Sequence, residues 1–74
     1  MNIIRLLVTE IGRLNIVTVV NLDDILDAGW VKSIVPRDQY VCNNEELIRI
    51  IHRLSKEYRL LITDSVVSMR ELEK

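Results

Sequence analysis

Residues 2–14 run Asn2-Ile3-Ile4-Arg5-Leu6-Leu7-Val8-Thr9-Glu10-Ile11-Gly12-Arg13-Leu14. The period assigned to them decides the fold. On a helix, Ile3, Ile4, Leu7, Val8, Ile11 and Leu14 fall on one face, and Arg5, Thr9, Gly12 and Arg13 on the other. Leu6 is the main exception. On a strand the alternation fails, because Ile4, Leu6 and Val8 share the face opposite Ile3, Leu7 and Ile11. The helical reading is the better match, although the β-branched content pulls mildly the other way.

Working outward, Ile16-Val17-Thr18-Val19-Val20 is β-branched throughout. It reads as a short strand or a compressed buried helical turn. Asn21 then looks like an N-cap, with Asp23 and Asp24 in a first turn where the helix dipole favours negative charge. Gly29 suits the C′ position that ends this short helix, about 22–28. Trp30 to Val35 and Gln39 to Cys42, separated by Pro36-Arg37-Asp38, read as a β-hairpin at about 30–42. Residues 43–58 form a long amphipathic helix. Asn43 caps it and Glu46 holds the capping-box position. Leu47, Ile50, Ile51, Leu54 and Tyr58 make its apolar stripe. Leu60 to Thr63 is apolar but too short to assign alone. Asp64 or Ser65 suits the cap of a last helix with Val66, Met69 and Leu72 inward.

The chain has 74 residues, hydrophobic at 49%, with two glycines, one proline and no phenylalanine. That is one domain, 1–74, with a core of Ile, Leu and Val. So small a domain buries only roughly 60% of the surface its unfolded chain exposes. So much aliphatic surface implies a covering partner, most simply a second copy in a homodimer. The net charge of −1 does not point to nucleic acid, although a local basic patch remains open. A lone cysteine, Cys42, and no leader pattern imply a cytoplasmic protein. The longest uncharged apolar run, 14–22, is far below the ~20 residues of a membrane span, so no membrane partner is expected.

Chemistry has little to work with. His52 is the only histidine and has no companion at metal-ligand spacing. Cys42 reads as a small hydrophobe rather than a reactive thiol. Asp23, Asp24 and Asp27 read as ordinary solvated charges of a helix start, not as a metal or acid–base site. Arg49, His52, Arg53 and Lys56, with Arg59 just beyond, could track phosphates, but acidic opening and basic closing residues are what dipole compensation produces. The glycines form no phosphate loop. The expectation is a non-enzymatic protein with no cofactor and no metal.

Ile25-Leu26-Asp27-Ala28-Gly29-Trp30-Val31-Lys32 resembles the end of the recognition helix and the entry to the wing in winged helix-turn-helix transcription regulators. Gln39-Tyr40-Val41 and Glu45-Glu46-Leu47 are similar to that family's second wing strand and following helix. The resemblance implies a small α+β, helix-dominated, winged-helix-like domain that acts in transcription regulation as a DNA-binding homodimer. Phosphates would repel the acidic 22–28 helix. Contact would therefore fall to the wing, at Lys32, Ser33 and Arg37, with Arg13 as a further contact. Glu45-Glu46-Leu47, Leu60-Leu61-Ile62-Thr63-Asp64 and Met69-Arg70-Glu71 also resemble, more faintly, the stalk F subunit of rotary V/A-type ATPases. That order, β-α-β-α-β-α, implies a non-catalytic protein–protein interaction subunit or adaptor. Residues 16–20 discriminate the two: a helix there supports the regulator, a strand in a central sheet the interaction subunit.

Overall fold

The structure is a computed structural model, and it describes residues 3–64. Four strands and two helices succeed one another: β1 (Ile3–Ile11), β2 (Leu14–Val19), a 3-10 turn at Leu22–Asp24, α1 (Ala28–Ile34), β3 (Tyr40–Cys42), α2 (Asn44–Ser55) and β4 (Arg59–Asp64). The strands form one sheet in the order β3-β2-β1-β4, with β1 antiparallel to β2 and parallel to β4.

The expected helix over 2–14 is therefore a strand and a turn. β1 sits inside the sheet, and such a strand has apolar side chains on both faces. Ile4, Leu6 and Val8 are buried under the helices, while Ile3, Leu7, Thr9 and Ile11 line the other face. The failed alternation was the signature of a two-sided strand rather than an argument against one. Five of its nine residues are β-branched, which suits a pleated ladder. Gly12 makes the turn: its φ of 61° is positive, and among the described residues no other residue type has a positive φ. A positive φ at the first loop position alone is the type II′ arrangement, and Ile11 and Leu14 pair directly across it. Residues 16–19 are strand, at an interior position of the sheet.

The helix-dominated winged-helix-like expectation is overturned: of the described residues, strand accounts for 39% and helix for 35%, and the 30–42 hairpin does not form. Trp30 to Ile34 is helical because Asp27, not Asn21, is a cap; its carboxylate accepts from the Trp30 backbone N–H at 3.3 Å. Gly29 lies in the first turn of α1 instead of ending a helix. Trp30, Val31 and Ile34 follow at spacings that share a face, and Pro36 lies just past the C-cap. Asn21 has another task. Its Oδ1 accepts from Arg5 N–H and its Nδ2 donates to the Ile3 carbonyl, both at 2.8 Å. It thus extends the pairing of β1 beyond the end of β2, where a cap was expected.

α2 meets its expectation closely, ending at Ser55 rather than Tyr58. Asn43 caps by accepting from Glu46 N–H at 2.8 Å. The Glu46 carboxylate takes the Tyr40 hydroxyl, which ties β3 to the helix. β3 and β4 lie at opposite sheet edges, so α2 crosses the sheet between them. Ile50 and Leu54 are driven into Ile4, Leu6 and Val17, with α1 alongside through Val31 and Ile34. Buried Asn15 donates to the Asn44 side chain at 2.8 Å, fixing where α2 starts over β2. Leu60 to Thr63 belongs to β4, and Asp64 ends that strand; the rest of the expected last helix lies outside the described residues.

Leu54 is fully buried and Lys56 exposed. Leu54→Ala should therefore cost ~2–5 kcal/mol. Lys56→Ala should stay within about 0.5 kcal/mol, thermal or denaturant melts being the check.

Candidate interaction surface

Both helices lie on one side of the sheet. Strand register gives the residues of the other side without ambiguity, because paired positions share a face. One row runs Val41, Ile16, Thr9 across β3, β2 and β1. The next is Thr18, Leu7, Thr63 across β2, β1 and β4. Arg5 then pairs with Leu61, and the Val20 N–H donates to the Arg5 carbonyl at 2.8 Å, so Val20 flanks that row. Ile3 pairs with Arg59 at one end and Ile11 with Leu14 at the other.

Eight of these positions are aliphatic. Five are wide open to solvent: Ile11 at 45%, Leu14 at 47%, Val20 at 61%, Val41 at 54% and Leu61 at 48%. At ordinary side-chain areas they leave roughly 400 Å² of apolar surface in water, a large patch for a domain this small. The only charged residues on these rows are Arg5 and Arg59, and both sit at the same end. β4 adds Ile62, 47% exposed on the helical side of the edge. The exposed aliphatics Leu26 and Ile48 lie elsewhere, before α1 and on α2.

Of the residues assigned to DNA contact, Lys32, Ser33 and Arg37 lie on or just after α1, and Arg13 lies apart from them. Lys32 and Ser33 are on the exposed side of α1, and the Ser33 hydroxyl donates to the Trp30 carbonyl. Arg37 follows in the α1–β3 loop. Lys32 and Arg37 line one recess of about 30 Å³ with Val19, Pro36 and Asp38. Arg13 is in the β1–β2 turn, at the far end of β2 from Val19, roughly 20 Å away at ~3.3 Å per residue. The sequence pattern hides these face residues, because an apolar run on both sides of a strand also matches one side of a helix.

Groups with reactive potential are scattered. His52 is exposed on α2. Cys42 is buried against Asn15, and burial pushes its thiol up, with Glu46 adding to the effect, the opposite of an activated thiolate. Asp23 and Asp24 lie in the 3-10 turn while Asp27 caps α1. Among the described residues no group of three or more His, Cys, Asp or Glu is placed to hold a metal, and no helix is long and apolar enough to cross a membrane. Trp30 and Tyr58 stack at 5.9 Å, floored between the exposed Asp27 and Glu57 in a shallow recess on the helical side.

The Tyr40 hydroxyl is held above its ordinary value, first by its hydrogen bond to Glu46 and then by desolvation. Its neutral form is favoured in the folded chain. The stabilisation is thus complete below the unfolded value of 10.0 and is lost as pH rises through the higher folded value. Wild type should lose stability on this account only above about pH 10. Tyr40→Phe should melt lower at neutral pH and show a weaker alkaline decline, read from melts across pH 7–11.

Compared with known proteins, the chain matches no family model, no curated protein and no solved structure.

Proposed function

We propose that the chain is a non-catalytic protein–protein interaction subunit that docks an uncharged apolar protein surface against its open sheet face. The observation that carries this reading is that face: eight aliphatic positions in register on the side opposite both helices. Specific contacts require apolar area free of unpaired charge at the centre, and here both arginines are confined to one end. Residues 16–19 fall in an interior strand, the arrangement that favours an interaction subunit over a helix-turn-helix regulator.

A photo-crosslinking amino acid placed in vivo at Val41 or Leu61 should form protein adducts, and one at Ile48, exposed on α2, should not. Adducts from Ile48 alone would contradict the reading. The rival, a DNA-binding regulator, rests on Lys32 and Arg37. Fluorescence anisotropy with random duplex at ~50 mM salt, where phosphate association is strongly favoured, tests it. No binding is expected. Binding that Lys32→Ala/Arg37→Ala removes would replace the interaction reading with the DNA one.

A further inference from the structure

We infer that the occupant of the open sheet face is a second copy of this chain, packed sheet on sheet about a two-fold axis that runs across the strands. The inference rests on the interaction reading and names its partner.

Three observations lead there. The first is area. The five exposed aliphatics, the half-buried Ile3, Leu7 and Ile16, the three threonines and the arginine stems together offer on the order of 800 Å², the share each partner gives a standard-size interface. The face supplies that share without recruiting the helical side. The second is pattern. Apart from Arg5, β1 is apolar on both faces along Ile3 to Val8, and β4 along Leu60 to Ile62, as in strands covered on both sides. Two sheets packed face to face interleave such residues about 10 Å apart.

The third is charge, and it selects the symmetry. A two-fold along the strands would stack Arg5 and Arg59 of one copy against those of the other, with no carboxylate on the rows between them. A two-fold across the strands sends the arginines to opposite ends, over the partner's Ile11 and Leu14 end. The row of Thr18, Leu7 and Thr63 then lies at the axis, where small side chains leave Leu7 room to meet its own copy. An isologous contact of this kind needs one self-complementary patch and closes after two chains.

Sedimentation equilibrium at micromolar concentration is the test. Wild type should weigh twice the 8.6 kDa chain. Leu61→Glu and Val41→Glu, both at exposed positions on edge strands, should each retain the wild-type circular dichroism and sediment as single chains. Ile48→Glu should stay dimeric. The dissociation constant should change less than about threefold between ~50 and ~500 mM sodium chloride, since no like charges face one another across the axis. A wild-type monomer would overturn the inference while leaving the interaction reading to its crosslinking test. Folded Leu61→Glu and Val41→Glu that remain dimeric would also overturn it. A dimer that tightens tenfold or more with salt would overturn the assigned symmetry.

Discussion

β1 is bonded on both edges and apolar on both faces, and the rest of the molecule follows from satisfying it. Its backbone pairs with β2 on one side and β4 on the other, so its N–H and C=O groups are spent in ladders. Its side chains divide evenly. Ile4, Leu6 and Val8 require a helical layer, and Ile3, Leu7 and Ile11 require something else. The two helices supply the first requirement. Nothing in residues 3–64 supplies the second, which is why the open face and not a pocket carries the functional argument.

The helical layer is held to the sheet by apolar packing and positioned by asparagines. Ile50 and Leu54 fill the space above Ile4, Leu6 and Val17, and Val31 and Ile34 close it from α1. Packing alone leaves a helix free to slide, and the polar contacts remove that freedom. Asn15 reaches Asn44 at the start of α2, Asn43 caps the same turn, and Tyr40 bonds Glu46 within it. Three hydrogen bonds thus converge on the first turn of α2 from β2, from β3 and from the capping residue that joins β3 to α2. Asn21 does similar work at the other end of the sheet, where it completes the pairing of Ile3 and Arg5. A hydrogen-bonded amide specifies register more sharply than an aliphatic contact can.

Local rules were enough where one face of an element meets solvent. α2 was legible because its stripe, its Asn43 cap and its acidic opening all agree. The short extended run ending at Cys42 was legible for the same reason. They failed where tertiary context decides. Residues 3–8 are apolar at five of six positions, a run that length and period cannot divide between helix and strand until its neighbours are known. The Gly12-Arg13 turn lacks the asparagine or aspartate that advertises a hairpin, although glycine at the first position was the clue. Across 21–34, Asn21 and Asp27, six residues apart, are both residue types that cap helices, and Gly29 suits the end of one helix as well as the inside of another. With Asn21 as the cap, 30–35 reads as a strand of a wing. Lys32, Ser33 and Arg37 fall on a wing only if 30–35 is a strand; with α1 in its place Lys32 and Arg37 still line one recess, and Arg13 lies apart in the β1–β2 turn. The apolar excess that implied a covering partner was legible throughout; the face that carries it was not.

An aliphatic sheet face opposite a helical layer is an incomplete sandwich. Burying it against its own copy would give β1 the second apolar layer its sequence calls for and would make folding and assembly draw on the same residues. Isotope-filtered NOE spectroscopy on a mixture of labelled and unlabelled chains measures that most directly. The account predicts intermolecular contacts from the methyls of Leu7, Ile16, Val41 and Leu61, and none from Ile4, Leu6, Val17 or Leu54. Intermolecular contacts from Ile48 in their place, or none from the sheet face, would contradict it.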